Sequence, residues 1–209
     1  ARLDRLPWTS LHTKLLILIS LGEFFDLYDL FAGGFTVAAV HLYYHVTVST
    51  SIFYTVAIFF LGAFVGVILL GYIGDYLGRR TVIVINMVIM SLAYLFTPFS
   101  PNVYVFGALR FIAGMGAGPE AILVLDIMST EFFPPSIRGN RLALAYTIAW
   151  FAPLVVAGIA VFTIPTHWQW IYWIGGIGIL SIIPLRFMIP ESPRWLEVHG
   201  RYEEADKIV

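Results

Sequence analysis

Residues 23–29, Glu-Phe-Phe-Asp-Leu-Tyr-Asp, place Glu23, Asp26 and Asp29 inside an apolar run that reaches from Leu15 to about Val40. A run of that length crosses a bilayer at ~1.5 Å per residue, and an ionised carboxylate near its middle costs at least ~2.5 to 3.5 kcal/mol. Hydrocarbon is therefore closed to these side chains, which must face protein or water. Their i, i+3, i+6 spacing puts them within an arc of roughly 120° on one helical face. Such a helix has one polar side, and two readings of it stay open. It is either an acidic patch sealed by helix packing or part of a path for ions or substrate, the usual setting of intramembrane acids.

The rest of the composition agrees with a bilayer. Over 209 residues, 59% are hydrophobic and only 12% charged, far more apolar than a soluble domain. The chain reads as an integral membrane protein, with the lipid bilayer as its first partner. A formal net charge of −1 gives no signal for nucleic acid, and no nucleic-acid partner is expected. The absence of Cys excludes disulfides and thiolate metal sites. The glycine-rich run Gly114 to Pro119 follows no strand and lies in an apolar span, so it is not a dinucleotide fingerprint. No cofactor, metal site or catalytic set is expected, and the chain is not read as an enzyme. The first apolar run is too long for a cleavable signal peptide.

Six apolar runs are legible, at about 15–40, 51–74, 81–97, 103–129, 141–163 and 168–188, each near or above the ~20 residues needed to span. Turn chemistry separates them at Asp75 to Arg80, Pro98 to Asn102, Pro134 to Asn140 and Pro165 to Trp168. Outside the fourth run, every Lys and Arg falls on one side of the implied membrane: Arg2, Arg5 and Lys14, then Arg79 and Arg80, then Arg138 and Arg141, then Arg186, Arg194, Arg201 and Lys207. The opposite loops carry none. The positive-inside rule then puts both ends of the segment in the cytoplasm. The expected organisation is a cytoplasmic segment at 1–14, a six-helix bundle at 15–188, and a cytoplasmic stretch at 189–209 that starts a linker.

Charge inside the spans is uneven. Glu23, Asp26 and Asp29 sit on the first helix and Arg110, Glu120 and Asp126 on the fourth, while the interiors of the other four have none. Helices 1 and 4 open two sets of three, the pattern expected of two inverted three-helix repeats whose first helices face a polar centre. By rise per residue, Glu23 and Glu120 lie ~12 to 14 Å from the cytoplasmic ends of their helices, Asp29 ~21 Å and Arg110 ~28 Å. Asp29 is the acid best placed to meet Arg110. Gly62 and Gly66 in helix 2, and Gly114 and Gly118 in helix 4, have GxxxG spacing, which permits close helix approach.

Four motifs stand in order along this frame. Gly71, Gly74, Asp75, Gly78, Arg79 and Arg80 resemble the signature loop between helices 2 and 3 of the major facilitator superfamily. Arg110 followed by Gly114, Gly116 and Gly118 resembles that family's helix 4 motif, and Glu131 with Arg138-Gly139 resembles its loop between helices 4 and 5. The run Pro190-Glu191-Ser192-Pro193-Arg194-Trp195-Leu196 is similar to the segment closing helix 6 in sugar porters and organic-ion transporters. The resemblance implies the N-terminal six-helix half of a twelve-helix transporter, with a C-terminal six-helix half in the same protein or a second chain. Asp26-Leu-Tyr-Asp29 resembles the Asp-Gly-aromatic-Asp pattern of aromatic-acid/proton symporters, with Leu27 in place of Gly. Tyr28-Asp29 also matches proton-coupled sugar symporters, and Gly118-Pro119-Glu120 is similar to the Gly-Gly-Glu of metabolite/proton symporters. Tyr146 stands where the sugar-porter pattern has a Gln, which removes an amide suited to sugar hydroxyls.

The resemblance implies a secondary active transporter that moves a small organic solute, an organic acid or other metabolite, by alternating access with protons. Asp29 and Arg110 are the expected coupling pair, because an acid that gains and loses an Arg partner changes its proton affinity. Asp26, Glu23 and Glu120 are further candidates. Phe25, Tyr28, Tyr146 and Trp150 would suit a flat organic solute. Asp75, Gly78, Arg79, Arg80, Asp126, Glu131, Arg138, Glu191 and Arg194 form the expected cytoplasmic gate. A sugar/proton symporter and a passive uniporter are the alternatives within the fold; a non-transporting membrane sensor or scaffold is the alternative outside transport.

Overall fold

A computed structural model describes residues 9–120, 133–186 and 191–208. Among them every regular element is a helix: α1 Ser10–Tyr43, α2 Val48–Leu77, α3 Arg79–Phe96, α4 Val103–Glu120, α5 in two pieces at Pro135–Ala149 and Ala152–Thr163, α6 Gln169–Arg186, and two short helices, α7 Pro193–Val198 and α8 Tyr202–Ile208. The chain is thus an all-α membrane protein, and its helices fall on the six apolar runs. Three segments, Val48–Leu77, Arg80–Phe99 and Ser136–Thr163, are long and apolar enough to cross a bilayer, and Val103–Pro119 is a shorter apolar helix. α1 has 34 residues and gives up apolarity to its acids.

Local chemistry sets the ends. At the start of α1 the His12 ring nitrogen accepts the Thr9 backbone N–H at 3.1 Å, supplying one of the partners a helix start lacks. The Asn102 carboxamide oxygen caps α4 by accepting the N–H groups of Tyr104 at 3.0 Å and Val105 at 2.9 Å. Pro153 lies just inside the second piece of α5. A proline lacks an N–H and crowds the preceding turn, which accounts for the break at Trp150 and Phe151.

Packing reveals the two repeats. α2 packs on α4 as α5 packs on α1, α3 on α4 as α6 on α1, and α2 on α3 as α5 on α6, while α3 meets α6 and α1 meets α4. Exchanging α1–α3 with α4–α6 maps these contacts onto one another, while the α1–α2 contact has no counterpart of similar extent among the described residues. The architecture is that of two inverted three-helix repeats.

The two GxxxG pairs lie against each other. A Cβ on Gly62 or Gly66 would overlap the carbonyls of Phe111 and Met115, and one on Gly114 or Gly118 would overlap the backbone of Phe59 and Ala63. Backbone cannot step aside as a side chain does, so Gly114→Ala is expected to cost about 1 to 3 kcal/mol through overpacking. Gly158, with nothing within 4 Å of its Cβ position, is the control. Thermal unfolding in detergent should show a lower midpoint for Gly114→Ala and an unchanged one for Gly158→Ala; equal midpoints would mean that the α2–α4 contact is looser than described.

Candidate functional site

Arg110 of α4 and Asp29 of α1, the pair singled out by depth, are in contact, and their side chains are 1% and 0% exposed. The Arg110 Nη1 donates to Asp29 Oδ1. Its Nη2 points at the Asp29 backbone carbonyl at 3.5 Å, and its Nε donates to the Thr55 carbonyl at 3.1 Å. The Phe59 ring lies 4.6 Å from the guanidinium carbon, with Tyr172 at 5.7 Å and Tyr94 at 5.9 Å. Tyr94 on α3 donates its hydroxyl to the same Asp29 Oδ1. The other carboxylate oxygen, Oδ2, accepts no hydrogen bond among the described residues.

Two charges buried this deeply are offset only when matched in geometry and hydrogen bonding. Five of the six spans contribute: α1 the acid, α4 the base, α2 the Thr55 carbonyl and Phe59, α3 Tyr94, α6 Tyr172. The free Oδ2 leaves one position where Asp29 can take a proton or a further donor.

The backbone makes room for this arrangement. Thr55 belongs to a π-helical turn at Phe53–Ala57, a distortion found often at functional sites. Gly33, one turn beyond Asp29, is required by the guanidinium, because a Cβ there would stand 2.8 Å from Arg110 Nη2 and 3.0 Å from the Thr55 carbonyl. The Tyr172 hydroxyl is held by Thr36 at 2.7 Å, and Tyr28 donates to the Ile171 carbonyl at 2.8 Å. Sequence reading missed Tyr94, Tyr172, Thr55 and Gly33. A tyrosine or threonine in an apolar helix carries no mark of its partner.

The remaining candidates separate. Glu23 and Asp26 are buried on the same face of α1 as Asp29. Glu120 closes α4, and its side chain lies outside the described residues. Tyr28 is fully buried, and Phe25 packs on Tyr28 and Phe24. Tyr146 and Trp150 lie on an exposed face of α5, with Phe31 of α1 edge-on to Trp150 at 6.0 Å. The four proposed solute contacts are therefore not one surface: Tyr146 and Trp150 are exposed on α5, with the half-buried Phe31 beside Trp150, while Phe25 and Tyr28 lie between helices.

At the end of the bundle where α2 meets α3, Glu191 joins the signature loop through backbone. Its Oε1 accepts the N–H groups of Arg80 and Ser192, each at 3.1 Å. A carboxylate at the start of α3 is also favoured by the helix dipole. Gly78 turns with φ of 92°, and a Cβ there would strike the Glu191 carboxylate; the loop needs glycine on both counts. Trp195 donates its indole N–H to the Asp75 carbonyl at 3.0 Å. Arg138 donates to the Phe133 carbonyl at 2.9 Å, and Arg194 is exposed. Asp126 and Glu131, and the side chain of Arg79, lie outside the described residues.

Comparison with known proteins places the chain in a family of membrane proteins. The family model described as "Sugar (and other) transporter" matches residues 15–209, and the chain belongs to that family. It is 30% identical to the putative metabolite transport protein YyaJ of Bacillus subtilis, over 100% of this chain and 46% of that protein. It is 31% identical to the niacin transporter NiaP of Acinetobacter baylyi, over 100% of this chain and 47% of that protein. A structure of the xylose transporter XylE from E. coli, in a partially occluded inward-open conformation, superposes with a TM-score of 0.84 at 22% identity, over 96% of this chain and 53% of that one. The chain spans about half the length of these relatives, and its fold is half of a major facilitator transporter.

Proposed function

We propose that this chain forms the N-terminal half of a secondary active transporter that moves a small organic solute by alternating access, and that Asp29 carries the coupled proton. The observation behind this reading is the Arg110–Asp29 pair, fully buried between the first helices of the two repeats. An acid at that depth is costly to insert, and one held by an arginine on a different repeat changes environment when the repeats move. A C-terminal six-helix half would complete the solute path. The names of the relatives, transporters of niacin and of other metabolites and a proton:xylose symporter, support a small polar solute and a proton as partners.

The test is uptake by the full transporter in liposomes, with labelled nicotinate, representing a flat organic acid, and labelled xylose. Accumulation above the outside concentration is expected only with an inward proton gradient. Equal uptake with and without the gradient would favour a uniporter, and no uptake of any metabolite in a broader panel would favour a sensor or scaffold.

The same proposal places both ends of the segment in the cytoplasm. Ser49 and Thr166 are exposed beyond the far ends of α1 and α5. In a chain without native cysteine, Ser49→Cys and Thr166→Cys are expected to react with an impermeant thiol reagent added outside intact cells. Labelling only after the cytoplasm is opened would reverse the orientation.

A further inference from the structure

Tyr94 stands on α3, 0% exposed, with its hydroxyl on Asp29 Oδ1. Among the described residues that carboxylate oxygen is its one hydrogen-bond partner. The ring fits a slot that α6 leaves open: a Cβ on Gly175 would lie 2.6 Å from Tyr94 Cε1 and 2.8 Å from Tyr28 Cε1. Tyr172, also of α6, leans on the same ring at 5.3 Å between centroids. Phenylalanine would fill this slot equally well and would bring no polar atom into a dry interior, where an unpaired hydroxyl is costly. The hydroxyl is explained by the carboxylate it reaches.

Its place on the carboxylate matters. Arg110 Nη1 donates to the same Oδ1, while Oδ2 accepts from no described residue. A phenol bonded to a carboxylate can only donate, because the ionised acid has no proton to give. With two donors on Oδ1, an incoming proton has Oδ2 as its open place. Once the proton arrives from bulk water and an O–H bond forms there, Oδ1 becomes the carbonyl oxygen of a neutral acid. It still accepts from both donors, more weakly.

We propose that Tyr94 is the positioning residue of the Asp29–Arg110 pair: it directs the proton to Oδ2 and sets how tightly Asp29 holds it. This rests on the reading of Asp29 as proton carrier above. A hydrogen bond to an ionised acceptor is roughly twice as strong as one between neutral groups, so losing the phenol weakens the carboxylate more than the acid. The titratable and charged groups around Asp29 are Arg110 from α4, Tyr94 from α3 and Tyr172 from α6, with Tyr28, Asp26 and Glu23 along α1 itself. Tyr172 and Tyr28 engage Thr36 and the Ile171 carbonyl with their hydroxyls. From α2 come the Thr55 carbonyl and the Phe59 ring, with Tyr54 turned against Tyr104, and α5 carries Arg138, Arg141 and Tyr146 in its first piece.

Infrared difference spectroscopy of the full transporter in liposomes, titrated between neutral and acid pH without solute, follows this through the carbonyl stretch of the protonated acid. Asp29→Asn identifies the band by removing it. Tyr94→Phe keeps the ring in its slot and removes the donor. The Asp29 band is then expected at higher frequency, because the carbonyl Oδ1 has lost a hydrogen bond, and its titration midpoint about 1 pH unit higher, a tenfold tighter hold on the proton. Replacing Tyr94 by 3-fluorotyrosine, a more acidic phenol and a stronger donor in the same slot, should move both in the opposite direction, and it serves where the phenylalanine variant does not assemble. An Asp29 band that these replacements leave in place, or move in the same direction, overturns the role of Tyr94 and leaves Asp29 as carrier. A spectrum unchanged by Asp29→Asn overturns both readings.

Discussion

Arg110→Ala is expected to abolish transport and to destabilise the half-bundle by about 3 to 5 kcal/mol, the range seen when one member of a buried ion pair is removed. The loss has identifiable parts. Asp29 would remain at 0% exposure without its cation, and the Thr55 carbonyl would lose the Nε donor that now satisfies it at 3.1 Å. Phe59 would border a void where the guanidinium stood at 4.6 Å. Lysine does not repair this. A single ammonium cannot reproduce the planar fork that reaches the carboxylate, the Asp29 carbonyl and the Thr55 carbonyl together. Arg110→Lys should therefore fold better than Arg110→Ala and still transport poorly. Thermal unfolding together with uptake separates the two effects; wild-type uptake in Arg110→Ala would remove the pair from the mechanism.

Asp29→Asn is expected to do the opposite: keep the fold and lose the coupling. Asparagine has nearly the same shape, and its carboxamide oxygen can still accept from the Arg110 Nη1 and the Tyr94 hydroxyl, the two groups now on Oδ1. It cannot take up or release a proton in the working range. Arg110 would be left without its counter-charge, which costs stability, but its bonds to backbone carbonyls persist. Solute exchange needs binding and rocking of the halves without net proton movement, and it should survive in part. Accumulation driven by a pH gradient should disappear.

Much of this site was legible because charge inside an apolar run is so expensive. Glu23, Asp26, Asp29 and Arg110 announce themselves by position, and depth along two antiparallel helices was enough to pair Asp29 with Arg110. The spans and the GxxxG contact were readable for similar reasons, since length, apolarity and glycine spacing are properties of the chain itself. The partners were not. Tyr94 and Tyr172 look like any aromatic residue in a membrane helix, and the carbonyl of Thr55 is offered by a π turn that has no sequence signature. Gly33 could have been read as simple packing. Around the signature loop, the sequence pointed to opposed charges, and among the contacts of the described residues Glu191 accepts the backbone N–H of Arg80. Motif spacing brings two loops together without specifying which atoms meet.

Proton movement itself is the most direct measure of the central claim. With the full transporter in liposomes and a pH-sensitive dye inside, an inward gradient of a transported neutral solute, and no imposed pH gradient, should acidify the lumen in the wild type. In Asp29→Asn the same solute gradient should produce no acidification while tracer exchange of that solute continues. Acidification of wild-type size in Asp29→Asn would contradict the account, because the proton would then be carried without the buried acid that Arg110 holds.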